Sequence, residues 1–195
     1  SGKPIAGRMV RFLERSSENG KGVLLVRVEP GAVSVIAARD QKLYSVCHQL
    51  EVNESVLEAA RGLSTQVTDA TSFATYIYNR ILFPDFTPAT LEDLGIEHAW
   101  ACVRIREALK ALQQLDPGFG YSPDLGLARA YEPIILSGLE MHLAAPHQRL
   151  MIALDGILPH GITTVLQDEQ QLLTALGSLA PHDPLLPVQV MDAEV

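Results

Sequence analysis

His142, His147 and His160 crowd the last third of the chain, together with Asp155 and Asp168. Imidazoles and carboxylates brought to one place could ligate a divalent cation or share a proton as an acid–base pair. Their spacing argues against it. They fall on different expected elements, and no H-x-x-x-H pair sets two imidazoles on one helical face. They read as polar groups of loops and helix ends. Ser137 precedes Gly138, but a nucleophile elbow needs G-x-S-x-G, which is not the pattern here. Asp155-Gly156 carries no catalytic signature. The two cysteines, Cys47 and Cys102, form no C-x-x-C pair. Each lies in an apolar periodic segment, so both are expected to be buried, reduced thiols.

The bulk composition narrows the classes further. The chain has 195 residues, 47% hydrophobic and 19% charged, enough apolar side chain for a substantial core. A net charge of −8 repels phosphate backbones, and no Lys/Arg cluster reverses it locally, so nucleic-acid binding is set aside. No run approaches the eighteen apolar residues that a membrane span requires. The N-terminus lacks the apolar region of a signal peptide, and the expected location is the cytoplasm.

The elements that would position any site follow from periodicity and stop signals. Ile5, Met9, Val10, Phe12 and Leu13 make a helical stripe over 5–15. The runs 23–28, 32–38 and 43–50, separated by Pro30-Gly31 and by the polar turn 39–42, make a three-stranded antiparallel meander. The first run is apolar on both faces, which calls for helices on both sides of the sheet. Asn53 caps a helix over 54–63. Asp69 or Thr71 starts the next helix, with Phe73, Tyr76, Ile77, Ile81 and Leu82 inward, and Pro84 stops it. Thr90 with Asp93 is a capping box for a helix of about seven turns. Its stripe is Leu91, Leu94, His98, Cys102, Ile105, Leu109 and Leu112. His98 on that stripe reads as a hydrogen-bonded core residue.

Residues 121–132 read as irregular or a short helix. Residues 132–138 read as a strand, and Leu150, Met151, Leu154, Ile157 and Leu158 as the apolar face of a helix ended by Pro159. A β-branched strand over 162–167 follows. Asp168 and Gln171 then form a capping box for a helix whose inward residues are Leu172, Leu173, Leu176 and Leu179. A last, edge strand is expected over 185–191, interrupted by Pro187. The expected fold is therefore a single α/β domain over 1–195. Its mixed sheet combines a three-stranded antiparallel meander with β-α-β-α-β crossovers, and helices cover both faces. That order resembles the ribonuclease-H-like lobe of actin-like ATPases.

Two stretches carry a more particular likeness. FATYIYNRILFPDFTPATLEDLGIEHAWACVRIREAL (73–109) resembles a segment of the MutL proteins encoded beside glutamate mutase, which are unrelated to the mismatch-repair protein of that name. The matching residues are Tyr78, Asn79, Pro84, Pro88, Leu94, Ile96, Glu97 and Ala99. The stretch 134–192 is similar to the adenosine-side segment of the same family, through Ser137, Gly138, Ala144, Pro146, Leu154, Pro159, Gly161, Ile162, Thr163 and the 175–180 run ALGSLA. The resemblance implies an actin-like ATPase architecture. It also implies an accessory, reactivating role toward an adenosylcobalamin-dependent mutase.

The same resemblance exposes what this chain lacks. The family's phosphate hairpin resembles D-V-G-G-A-T-T-D, in which an acid organises Mg²⁺ and glycine amides cradle phosphate. Here the hairpin is Arg27-Val28-Glu29-Pro30-Gly31-Ala32-Val33-Ser34. Arg27 replaces the acid, Glu29 repels phosphate, Pro30 removes an amide donor, and only the Pro30-Gly31 turn is kept. Arg27 beside Glu29 reads as an ion pair or a solvated residue. On the adenosine side, Ser137-Gly138 is followed by Leu139 and Glu140 where a second glycine would let the backbone approach the purine. The candidate site is thus a degenerate nucleotide cleft near Arg27, Glu29, Gly31, Ser137 and Gly138, with no catalytic residue, metal or cofactor expected.

Three functions remain open from the sequence. The first is a non-catalytic lobe that binds protein, its partner being another lobe, a second copy or a cobalamin-dependent mutase. The second is a piece of a working ATPase whose intact hairpin lies in a longer native chain. The third is a small-molecule sensor using the former cleft, which requires an enclosed pocket beside Gly138 and Arg27.

Overall fold

The computed structural model describes residues 5–16, 20–49, 51–64, 69–179 and 189. The chain runs through helix α1 (Ile5–Ser16) into strands β1 (Gly22–Glu29), β2 (Ala32–Arg39) and β3 (Lys42–His48). Helices α2 (Glu54–Leu63), α3 (Ala70–Leu82) and α4 (Leu91–Leu115) follow, then the short strands β4 (Tyr121–Ser122) and β5 (Gly126–Leu127). The remainder is β6 (Tyr131–Ser137), α5 (Leu139–Leu143), α6 (Pro146–Ile157), β7 (Val165–Gln167) and α7 (Leu172–Leu179). The main sheet has five strands in the order β3-β2-β1-β6-β7.

The meander forms where the turn chemistry placed it. Glu29 pairs with Ala32 across the two-residue Pro30-Gly31 loop. Asp40 and Gln41 close the second hairpin, both with positive φ (51° and 62°). That primed-turn geometry matches the twist of the flanking strands. β1 then pairs parallel with β6, Arg27 opposite Ser137, and β6 pairs parallel with β7. The α/β class and the mixed sheet with helices are as expected.

Alternation divides the strand residues between two layers. Leu24, Val26, Val28, Val33, Val35, Ile134 and Leu136 pack with Ile105, Leu109 and Leu112 of α4 and Ile152 and Ile157 of α6. On the opposite face Val23, Leu25, Ile36 and Ile135 meet Met9 and Val10 of α1 and Leu173 and Leu176 of α7. α4 is covered twice. Its far side, Ile96, Trp100 and Val103, packs on Phe73 and Ile77 of α3 and Ala60 of α2. Asn53, Asp69 and the Thr90–Asp93 box cap α2, α3 and α4 as the sequence requires, and Asp69 rather than Thr71 supplies the α3 cap.

Several expectations are corrected. α6 buries Arg149, Ile152, Ala153, Gly156 and Ile157, whereas Leu150, Met151 and Leu154 are exposed. The buried face is the one carrying small residues, which lets α6 lie against α4: a side chain on Gly156 would meet the Cys102 backbone at 3.4 Å. On α3, Ile81 and Leu82 are exposed and Arg80 is buried in their stead. Leu91, at the first position of the expected α4 stripe, is also exposed. Residues 121–127 form the β4–β5 hairpin rather than a helix. Gln171 adopts φ 54° ahead of α7 and so is no part of a capping box, although the Asp168 carboxylate still accepts from the Leu172 N–H at 2.7 Å. Cys47 is exposed. It lies on the edge strand β3, beyond Leu43, the strand's last contact with the α1 layer. The expected last strand at 185–191 lies outside the described residues, except that Gln189 is helical and exposed.

Gly138 joins β6 to α5 with φ 102°. A side-chain carbon there would stand 2.3 Å from the carbonyl oxygen of Val28 in β1. Only glycine lets the two segments approach so closely. Gly138→Ala combines left-handed strain with an overlap against a strand backbone, and should lower stability by roughly 3 kcal/mol. Urea unfolding of the two proteins measures the difference.

Candidate functional site

Because β1 and β6 run parallel, their C-terminal ends open side by side, the place where ligands settle in open α/β sheets. The structure brings four of the five candidate residues there. Arg27 is opposite Ser137, Glu29 is two residues on, and Gly138 is held against Val28. Gly31 is exposed at the hairpin tip, with nothing within 4 Å of the position its Cβ would take.

The polar groups at this junction satisfy one another. Arg27 Nε lies 2.6 Å from Glu29 Oε1, so of the two readings, an ion pair or a solvated residue, the first holds. The other oxygen, Glu29 Oε2, accepts from the Leu139 backbone N–H at 3.3 Å. The chain's own carboxylate therefore takes the first N–H of α5, which an incoming anion could reach only by displacing it. Ser137 Oγ donates to Asp168 Oδ2 at 2.8 Å and is spent on the β6–α7 connection. Leu139 and Glu140 open α5, and Glu140 is engaged further.

Arg104 of α4 supplies the remaining closure. Its side chain is 3% exposed, and Nη1 lies 2.6 Å from Glu140 Oε2. Nη2 donates to the carbonyl of Glu29 and, at 3.4 Å, to that of Ala32. The guanidinium also lies 6.0 Å from the Trp100 ring centroid. One buried cation thus fastens the hairpin to α5 from beneath. Arg104 was not among the candidates, although a basic residue between Cys102 and Ile105 on an apolar stripe is a signal for it.

A second polar cluster was equally unmarked. Arg80, 6% exposed, lies 2.8 Å from Glu97 Oε1 and donates to the Pro84 carbonyl. Tyr76 Oη donates to the same Glu97 oxygen at 3.1 Å. Burial pushes the Glu97 carboxyl above its ordinary range, outweighing Arg80 and the tyrosine. Burial and the charge of Glu97 push the Tyr76 hydroxyl up as well.

The described histidine side chains do not gather. His147 and His160 are exposed, and His142 lies in α5. Asp155 pairs instead with His98, Nε2 to Oδ2 at 2.9 Å, which makes His98 a hydrogen-bonded residue as expected. The same nitrogen is 3.6 Å from Cys102 Sγ. A cysteine–histidine–aspartate relay would use both imidazole nitrogens, and here thiol and carboxylate share one. Burial, with the charge of Asp155 assisting, pushes the Cys102 thiol up to about 12. A thiol so protonated is no nucleophile at neutral pH. Among the described residues no three His, Cys, Asp or Glu side chains come together as a metal site.

Two recesses lie elsewhere, and neither is lined by Arg27, Glu29 or Gly138. The shallower, of about 560 Å³, is an apolar groove between α6, the 124–125 turn and the segment before β7. The other, of about 260 Å³, lies between α4, the 86–88 loop and α5–α6. Neither recess is the enclosed pocket beside Gly138 and Arg27 that a small-molecule sensor there requires. Neither a family model nor a curated protein matches the chain. Among the described residues no helix is long and apolar enough to cross a membrane.

Arg104→Ala strands Glu140 in the interior and should cost about 3 kcal/mol or more. The double change Arg104→Met with Glu140→Leu removes both charges and should recover more than half of that loss, as measured by thermal unfolding of all three proteins. The thiols should also separate cleanly. In the native protein one cysteine, Cys47, reacts with a thiol reagent at pH 8 within minutes, and Cys102 reacts only after denaturation. Peptide mapping of the labelled protein identifies the reactive site.

Proposed function

We propose that the chain is a non-catalytic, ribonuclease-H-like lobe of the actin-like type, from a protein akin to the glutamate-mutase-associated MutL proteins. It works as a protein-binding module whose partner is a second lobe, another copy or an adenosylcobalamin-dependent mutase. The strand order β3-β2-β1-β6-β7, with an antiparallel meander and two parallel strands, supports the architectural part. Support for the loss of catalysis comes from one observation above the others: Glu29 of the altered hairpin accepts from the Leu139 N–H on the adenosine side, so the two halves of the cleft are bonded to each other. Arg27 faces Glu29 instead of organising a metal, and Gly138 lies flush against β1 and leaves no gap for a ribose. An anionic ligand entering here would displace an internal ion pair and meet a carboxylate, a net repulsion in a partly dry site.

Surface chemistry supports the binding role. Tyr78, Leu82, Phe83, Phe86 and Leu91 are each about half exposed or more along the α3–α4 connection, and aromatic-rich apolar surface of this kind is suited to protein contacts. Calorimetric titration of the protein with Mg-ATP should give no saturable heat, and binding in the micromolar range would overturn the reading. Immobilised protein should retain adenosylcobalamin-dependent glutamate mutase. Failure to do so removes the mutase as partner while leaving the catalytic inertness to the titration.

A further inference from the structure

β3 is one edge of the main sheet, and the turn before it decides which of its backbone groups face outward. Asp40 and Gln41 both have positive φ (51° and 62°), the signature of a type I′ turn, so Arg39 and Lys42 form a hydrogen-bonded pair. Bonding then alternates along the strand. Lys42, Tyr44, Val46 and His48 turn their N–H and C=O groups to β2, and Leu43, Ser45 and Cys47 turn theirs away from the sheet. Among the described residues no backbone group bonds to this outward row.

Sheet edges are ordinarily blunted by a bulge, a proline, a charge or sheer brevity. The opposite edge is blunted in the last way, since β7 has three residues. β3 has seven, and it pairs with β2 without a shift of register. From Leu43 to Gln49 it holds no proline and no Asp, Glu, Lys or Arg. The side chains leave room for approach as well, because Ser45 and Cys47 are short and exposed. An unblunted row of donors and acceptors is a template for another strand.

We propose that this edge pairs with the same edge of a second copy, antiparallel about a two-fold axis at Ser45, so that the two main sheets become one. A two-fold pairing must set outward residues opposite outward residues. Centred on Ser45, it places Leu43 opposite Cys47 of the second copy and Ser45 opposite its equivalent, and each such pair exchanges two hydrogen bonds. Centred one residue further on, it would place Leu43 opposite Gln49, past the end of the strand. The side chains suit the first register. Tyr44, packed on the α4 layer, meets Val46 of the second copy, an aromatic and β-branched pair, and Leu43 covers the exposed Cys47. Charge selects the antiparallel sense and a copy of this chain as occupant. Lys42 is exposed at one end of the strand and Glu51 just beyond the other, so antiparallel copies bring each Lys42 toward the other's Glu51, whereas parallel copies would oppose like charges. A single edge lies at the low end of interface sizes, below about 1,200 Å² in total, and association is expected at about 10–100 μM. The inference uses β3 alone, so its failure would leave the actin-like reading to the Mg-ATP titration.

The test is analytical ultracentrifugation from about 5 to 500 μM, with a thiol reductant present so that Cys47 forms no disulfide. The native protein should dimerise reversibly. Hydrogen exchange, which needs no variant, should show the Leu43, Ser45 and Cys47 amides gaining protection only as the dimer forms, while those of Tyr44 and Val46 are protected at every concentration. Ser45→Lys and Ser45→Glu each set like charges across the axis, and each alone should weaken the dimer at least about tenfold. Because Ser45 is exposed, both should keep the native melting temperature. An equimolar mixture of the two variants should restore the dimer, since position 45 faces its equivalent in this register. The proposal is overturned if the native protein stays monomeric up to about 500 μM, which would leave the edge to an extended segment of another protein. It is overturned equally if either variant dimerises as the native protein does, which would place the interface elsewhere, or if the mixture stays monomeric, which would exclude the register.

Discussion

The packing of this protein turns on one buried guanidinium. Arg104 rises from the middle of a 25-residue helix, beside the Trp100 ring of the same helix, and ties two separate segments to it: the turn of the first hairpin and the start of α5. A buried cation is costly to desolvate and becomes tolerable only when all its donors are met. The hairpin and α5 must therefore sit where their carbonyls and carboxylate reach it. The close contact of Gly138 with Val28 is compatible with that placement, and Glu29 is then drawn over the first amide of α5. A cleft that could have been open is held shut from three directions by the chain's own groups.

The same helix explains why the molecule has more than the usual two layers of helix on sheet. α4 is apolar on two sides, one facing the sheet and one facing α2 and α3. Ion pairs fill the seam at its N-terminal half, where Arg80 and Glu97 meet, and beside it remains the recess that Glu97 and Glu140 line. The polar groups that matter in this fold are thus interior ones. They were placed by helix packing.

Much of the architecture was legible because it depends on local rules. The paired turns, the caps at Asn53, Asp69 and Thr90, and the two-sided apolar run of β1 each follow from a few neighbouring residues. The ion pair of Arg27 with Glu29 follows likewise, since residues two apart on a strand lie on the same face. Orientation of the later helices was less legible. In α6 Leu150, Met151 and Leu154 lie on one side and Ile152, Ala153, Gly156 and Ile157 on the other, the second side holding the small residues, and periodicity favours the first. Close packing against α4 favours the small, because only they let two helix backbones approach. Cys47 shows the other limit: its segment is apolar enough to be core, yet the edge of the sheet runs past the helix that would cover it.

By itself the sequence determined the class of fold, the three-stranded meander and the caps of the first helices, all of which are written in spacing and turn residues. Only the tertiary structure decided that Arg104 closes the junction, that Asp155 belongs to His98 rather than to the later histidines, and that Glu97 and Glu140 line one recess. Those pairings join residues about 20 to 75 positions apart in the chain, and a charge has no sequence signature for the partner it will meet. Burial selects that partner, because a desolvated charge accepts whichever opposite group the packing of the helices brings within reach.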